Sequence, residues 1–251
     1  MGHITQQTHN VARFSDFDIV TSEDVEAAES LMPEFYGVLF HNCYQITSSA
    51  FYANNRVEIL YMNKSGIISI GTFAFNNCKN LKSAYLPSDL RYIYNSTFEG
   101  CKKMEEIVLP EGLLSIGDEV FRGCSSLEEI IIPESVCTMG ADVFRDCNNL
   151  HSIKLSKKLV ETYGVAYIKS NNDNIKLIIY DEDSDEESNK GSTNSAESAI
   201  DEVSSLILNE GSTEEQSSSI IKSKSEFKSF NGVIRKNFIA EKKKANGIGG
   251  E

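Results

Sequence analysis

Residues 121–140 read FRGCSSLEEIIIPESVCTMG, and this pattern recurs along the chain with a period of 23 residues. Four of the six cysteines follow that step: Cys78, Cys101, Cys124 and Cys147. Three of the four prolines follow it as well: Pro87, Pro110 and Pro133. Self-similarity at a fixed period of about 20 to 50 residues is the signature of a repeat architecture. The sequence therefore predicts an array of stacked, similar units.

Each unit is predicted to contain two short strands. The first is L-x-x-I-x-L, in which side chains alternate between the inside and the outside, and it ends at the proline, which cannot donate to a ladder. The second is V-x-x-I-G, and we expect Gly117 and Gly140 to adopt a positive φ there. The segment before each Cys, such as residues 118–122, is predicted to form a helical turn that carries the Phe inward. Because one unit is too small to fold alone, stacking into a solenoid is expected.

The array is predicted to extend over residues 35–180. Before the regular units, Cys43 and Phe51 belong to a degenerate turn; after them, Tyr167 and Ser170 continue the Phe and Cys positions, and Thr162 continues an inward position. Leu177 and Ile179 are expected in a last strand. Residues 1–34 are predicted as an N-terminal segment with a short helix, capped by Thr21 or Ser22 and ending at Leu31, that covers the first turn.

The repeat F-x-x-C-x-x-L-x-x-I-x-(L/I)-P-x-x-(V/L)-x-x-I-G closely resembles the BspA-like leucine-rich repeats. That family includes surface proteins of oral bacteria and expanded sets in parasitic protozoa. The resemblance covers about residues 35 to 180. It implies a right-handed, curved β-solenoid used for adhesion or protein binding, with no catalytic residues to carry over.

Composition limits the classes of partner. Acidic residues outnumber basic ones 37 to 24, and a net charge of −13 argues against binding nucleic acid or anionic membrane through the overall field. No stretch approaches the roughly 18 apolar residues of a transmembrane segment, and the polar start shows no secretory signal. We therefore expect a cytoplasmic or nuclear monomer with reduced cysteines. Surface display, as an adhesin of a protozoan parasite, is the alternative that the family suggests.

A protein partner is predicted to bind the outward positions of the first strands, because the inward ones are committed to packing. The candidate residues share one outer face and are Tyr61, Tyr85, Val108, Ile131 and Lys154, with Glu106 and Glu129 beside them. The alternative is that aromatic and β-branched side chains simply suit exposed strands.

Neither an enzyme nor a cofactor site is predicted. The cysteine series lacks the paired C-x(2–4)-C spacing of structural metal sites and is interpreted as small buried side chains. Cys137 is expected to be an accessible thiol, because it occupies an outward position with Ile68, Arg91 and Leu114. The four histidines show no ligand spacing, and no nucleophile or phosphate-loop motif is present.

A change of composition after Tyr180 predicts a disordered tail in two parts. Residues 181–221 hold 12 acidic residues and one Lys, a net charge of −11, whereas residues 222–251 hold 8 basic and 3 acidic residues, a net charge of +5. The basic part is interpreted as a disordered segment or a transient amphipathic helix. Two kinds of motif make a shuttling regulator the rival function: an export-like series, Ile200, Val203, Leu206 and Leu208, and acid-directed phosphorylation sites at Ser184, Ser198 and Ser212.

Overall fold

The chain winds into two rows of short strands, which supply hydrogen bonds from one repeat to the next. The structure, a computed structural model, describes residues 2–7, 11–170 and 172–180. Along them the elements are β1 His3–Gln7, β2 Val11–Ser15, β3 Ile19–Val20, α1 Ser22–Leu31, β4 Gly37–His41, β5 Gln45–Ile46, β6 Ile59–Lys64, β7 Ser69–Ile70, β8 Ser83–Tyr85, β9 Tyr92–Ile93, β10 Glu106–Val108, β11 Ser115–Ile116, β12 Glu129–Ile131, β13 Thr138–Met139, β14 Ser152–Leu155, α2 Lys157–Tyr163, α3 Val165–Ile168 and β15 Lys176–Ile179.

The strands before the prolines form the first row, and those after the prolines form the second row. In the first row, one sheet has the order β1-β2-β4-β6-β8-β10 and another has the order β12-β14-β15. The second row is one sheet, β13-β11-β9-β7-β5-β3. Apart from β1, which runs antiparallel to β2, the strands pair in parallel. Ile116 registers with Ile93 and Met139, each 23 residues away. The parallel rows confirm the predicted solenoid of leucine-rich repeats.

The segment between the second strand and the Cys forms a third ladder. The amide of Phe121 donates to the carbonyl of Val143 at 3.0 Å, and that of Gly123 donates to Arg145 at 2.8 Å. The residues two before and two after the Phe are left-handed, with φ values of 55° at Glu119 and 71° at Gly123. The Phe side chains are buried as predicted, but the segment forms hydrogen-bonded turns with left-handed residues instead of the predicted helical turn.

Stacked phenylalanines fill the centre of the repeats. The rings of Phe51, Phe75, Phe98, Phe121 and Phe144 are all buried. Centroids of successive rings lie 4.9 to 5.9 Å apart. Aromatic pairs at such distances add to the energy of burial, so each repeat stabilises its neighbours.

Gly117 and Gly140 do not adopt the positive φ that was expected of them, since the positive-φ glycines of the described chain are Gly100, Gly123 and Gly164. A Cβ at Gly117 would lie 2.7 Å from the backbone nitrogen of Asn95, and one at Gly140 would lie 2.3 Å from that of Asp118. Close approach of neighbouring repeats, rather than backbone conformation, therefore requires glycine at these positions.

At the N-terminal end, the strand rows begin well before the predicted boundary at residue 35. β2 pairs with β4 in parallel, and β3 pairs with β5. The helix α1 follows Thr21, whose hydroxyl accepts from the amide of Asp24, as the capping prediction required. It buries Val25 and Ala28. Because α1 stands where the other repeats have the turn with Phe and Cys, residues 11–34 form a repeat turn that the 23-residue pattern does not reveal.

At the C-terminal end, helices replace the expected second strand and turn. Residue 156, at the position of the prolines, is Ser, and its hydroxyl accepts from the amide of Leu159 and caps α2. Thr162 is therefore exposed rather than inward. Tyr167 is largely exposed as well, and its neighbour Ile168 is buried instead. The last predicted strand forms β15.

Candidate protein-binding surface

The predicted partner-binding residues lie in one line along the outer side of the first row. Tyr61 registers with Tyr85, and Tyr85 registers with Val108. Ile131 and Lys154 register in the second part of the row. The 23-residue spacing therefore identified the line, because parallel pairing keeps equivalent residues opposite each other.

Two members of the line are buried and differ from the expectation of an accessible stripe. The exposed fraction of Tyr61 is 9% and that of Tyr85 is 4%. Their rings stack with centroids 5.7 Å apart and planes 16° from parallel. Burial raises the pKa of both phenols, and the charge of Glu106 raises that of Tyr85 further. Leu39, in register with Tyr61, is fully buried too. Leu39, Tyr61 and Tyr85 therefore face outward from their strands but are covered by neighbouring residues and are not accessible to a partner.

The next two members are exposed. Val108 has an exposed fraction of 47% and Ile131 one of 38%. Two residues earlier on the same strands stand the half-buried Glu106 and Glu129, whose side chains share the outer side because strand side chains alternate. We call these four residues together with Lys154 the first-row patch: Glu106, Val108, Glu129, Ile131 and Lys154.

Charged and aromatic neighbours border the first-row patch. The ammonium of Lys154 lies 4.5 Å from the ring centroid of Tyr180, within cation–π distance. The hydroxyl of Tyr180 donates to the carbonyl of Ile132 at 3.1 Å. Beyond the prolines, burial and the charge of Glu134 raise the pKa of the Glu111 carboxyl. The patch thus has an apolar pair at its centre and a mainly acidic rim.

A second exposed surface lies on the outer side of the second row; the sequence predicted Ile68 and Leu114 to face outward there but missed the three tyrosines beside them. Its large exposed side chains include five that we call the second-row surface: Tyr44, Ile68, Tyr92, Tyr94 and Leu114. One signal was available in the sequence. Tyr94 follows the inward Ile93, at the position where the neighbouring repeats have glycine.

The buried cysteines form a ladder of hydrogen bonds. Each thiol donates to the carbonyl of a phenylalanine in the preceding repeat, for example Cys101 to Phe75 at 3.2 Å. The equivalent distances for Cys78, Cys124 and Cys147 are 3.1, 3.2 and 2.9 Å. Burial raises the pKa of the Cys78 and Cys147 thiols to about 12, so they remain protonated at neutral pH. Cys137 is the exposed thiol among the six cysteines, all of them free.

Three further points of the sequence analysis concern metal ligands, membrane-spanning helices and the motifs after Tyr180. Within residues 2–7, 11–170 and 172–180, no three His, Cys, Asp or Glu side chains are grouped so as to hold a metal ion. In the same residues, no helix has the length and apolarity needed to cross a membrane. The export-like series, Ile200 to Leu208, and the phosphorylation candidates Ser184, Ser198 and Ser212 lie outside the described residues.

Comparison with known sequences agrees with the repeat geometry. The sequence model of the BspA type leucine rich repeat region matches residues 39–177 with six copies. The chain belongs to this family. No curated protein matches the chain. Leucine-rich-repeat domains are generally protein-interaction modules without catalytic activity.

Two crystal structures have a similar fold. The leucine-rich repeat protein TpLRR of T. pallidum is 21% identical, with a TM-score of 0.51 and coverage of 71% of this chain and 78% of that one. A leucine-rich repeat protein from Eubacterium ventriosum is 18% identical, with a TM-score of 0.51 and coverage of 62% and 42% respectively. At this identity the likeness concerns the fold alone.

Proposed function

We infer that this BspA-type repeat protein is a non-enzymatic interaction module that binds a protein partner on the first-row patch. The observation that carries the proposal is the exposed pair Val108 and Ile131, in equivalent positions of successive repeats, with the half-buried Glu106 and Glu129 beside them. An apolar centre with a polar rim is the usual anatomy of an interaction surface. The inward side chains on the same strands are buried, so the patch rests on a fixed backbone.

The patch favours a partner that supplies an apolar anchor. Burying one exposed aliphatic side chain fully contributes about 1.5 to 3 kcal/mol, and Val108 and Ile131 are already partly covered. We therefore expect Val108 and Ile131 each to contribute about 1 kcal/mol of binding free energy. Loss of both contributions corresponds to roughly a 30-fold change in Kd. The glutamates on the rim are suited to restricting the choice of partner rather than to providing most of the affinity.

The proposal is tested by replacing the anchor positions and a matched control position. A photo-crosslinking residue at 108 should capture a partner from native cells, and the same residue at Leu114, on the second row, should not. With the captured protein purified, the double variant Val108→Ser with Ile131→Ser should weaken binding about 30-fold. Leu114→Ser, which removes a side chain as exposed as Ile131, at 38%, should leave binding unchanged. If the double variant binds the partner as tightly as the unaltered protein does, the partner does not bind the first-row patch.

The location proposed with this function is the cytoplasm. All six cysteines are free, as expected of a protein in a reducing compartment. Fractionation of the native cells, with detection of the endogenous protein, tests this location, and recovery at the cell surface would contradict it.

A further inference from the structure

Tyr94 projects from a line of glycines on the second-row surface. Ile70, Ile93, Ile116 and Met139 register across neighbouring strands, so the residues that follow them also lie in line. Those residues are Gly71, Tyr94, Gly117 and Gly140. The Tyr94 ring has an exposed fraction of 47%, and the glycines on either side of it carry no side chain that could cover it.

On the Gly71 side of the ring lies a shallow groove, open to solvent, of about 470 Å³. Its lining residues are Gln45, Thr47, Ser48, Gly71, Thr72 and Tyr94. The side chains comprise one aromatic ring with its phenol, one primary amide and three aliphatic hydroxyls. None of these side chains is charged at neutral pH, so the groove presents hydrogen-bonding groups and one apolar surface to a ligand.

The backbone around the groove is fixed by hydrogen bonds. The amide of Tyr94 donates to the carbonyl of Ile70 at 3.1 Å. The buried hydroxyl of Thr97 donates to the carbonyl of Tyr94 at 2.6 Å and lies 3.2 Å from that of Gly71. The ring of Tyr92 lies almost parallel to that of Tyr94, with centroids 6.4 Å apart and planes at 13°. Such preorganisation lowers the entropic cost of binding a ligand.

We propose that this groove binds a neutral carbohydrate. A pyranose ring has an apolar face of C–H groups, which packs on an aromatic ring, and a rim of hydroxyls, which both donate and accept hydrogen bonds. The groove offers the matching set: the Tyr94 ring for the apolar face, and the Gln45 amide with the Thr47, Ser48 and Thr72 hydroxyls for the rim. Largely preformed sites with a few placed polar groups are typical of small-molecule binding.

The same chemistry disfavours two other ligand classes. A phosphate or carboxylate ligand would find no cation among the lining side chains, and nucleic acid depends on such cations for affinity. A proline-rich peptide would dock against aromatic rings but has few backbone donors. Its carbonyls would accept hydrogen bonds from the hydroxyls, but the Gln45 amide oxygen would be desolvated without a donor, which costs about 1 to 3 kcal/mol.

The experiment uses the full chain and a panel of neutral oligosaccharides of two to four glucose, galactose or N-acetylglucosamine units. Saturation-transfer NMR identifies the binder and calorimetry measures its Kd. At least one sugar should bind with a Kd of about 1 mM or tighter. Tyr94→Ala should weaken that binding at least about tenfold, whereas Tyr94→Phe, which keeps the aromatic surface, should stay within about threefold.

Control variants separate a binding defect from a folding defect. Tyr52→Ala removes an exposed tyrosine (56%, against 47% for Tyr94) that does not line the groove, and this variant should bind sugar like the unaltered protein. Gln45→Ala, at another exposed position, should weaken binding while leaving the thermal unfolding midpoint unchanged. Absence of binding across the panel, or binding that Tyr94→Ala leaves intact, would overturn the proposal. So would Tyr94-dependent binding of a polyproline peptide in place of sugar.

Discussion

Replacing Phe98 by Ala should lower the free energy of unfolding by about 4 to 5 kcal/mol. Phe98 is fully buried and lies between Phe75 and Phe121, with centroid distances of 5.5 and 5.9 Å and ring planes within 6° of parallel. Truncation of a buried Phe usually costs about 3 to 5 kcal/mol, and an aromatic pair contributes about 0.5 to 1.5 kcal/mol beyond burial. The loss of two pairs puts this site in the upper part of that range.

Urea unfolding monitored by circular dichroism measures the effect through the midpoint and slope of the transition. The backbone role of residue 98, which donates to Val120 at 3.0 Å, is retained in the variant. Tyr52→Ala serves as an exposed control, with an expected loss below about 0.5 kcal/mol. Phe144→Ala should cost about 1 kcal/mol less than Phe98→Ala, because within the described residues Phe144 stacks on one ring, Phe121. A loss below about 2 kcal/mol at Phe98 would refute the argument for a continuous stack.

Two further predictions concern the glycines and the thiols. Gly117→Ala should destabilise the protein by roughly 3 kcal/mol or more, because its Cβ would press on the backbone of the preceding repeat, whereas Gly123→Ala should cost only about 1 to 2 kcal/mol of backbone strain. Comparing the two urea midpoints checks this, and equal losses would contradict it. Stability should also fall as pH rises above 9, because the unfolded chain releases protons that the buried thiols, with a raised pKa, retain. Each such thiol lowers the stability by about 1.4 kcal/mol per pH unit up to its folded-state pKa, which urea midpoints at pH 8 and pH 10 measure. An unchanged midpoint would argue against buried thiols, as would rapid labelling of more than Cys137 in the native protein.

The two proposed surfaces lie on different strand rows and depend on different chemistry. The first-row patch combines exposed aliphatic side chains with carboxylates, which suits a protein partner. The groove beside Tyr94 is neutral and polar with one aromatic wall, which suits a sugar. The variants are independent: Val108 and Ile131 lie outside the groove lining, and Tyr94 lies outside the first-row patch. Loss of one binding activity therefore does not predict loss of the other.

The sequence by itself determined the repeat, the inward positions and the line of outward residues. The strict 23-residue step of Cys, Phe and Pro is sufficient for this, because parallel strands place equivalent residues opposite one another. It also narrowed the α1 cap to Thr21 or Ser22, since capping depends on side chains within one helical turn, and the structure has Thr21 as the cap.

Only the tertiary structure decided which outward residues remain accessible. Tyr61 and Val108 hold equivalent positions, yet one is buried and the other exposed, because burial depends on the neighbouring side chains as well as on the strand pattern. The strands β2 and β3 and the helices α2 and α3 escaped the periodic analysis, since α1 stands where other repeats have the turn with Phe and Cys, and α2 and α3 stand where they have the second strand and that turn. The role of Gly117 likewise depends on the spacing between repeats, a distance that a single repeat does not encode.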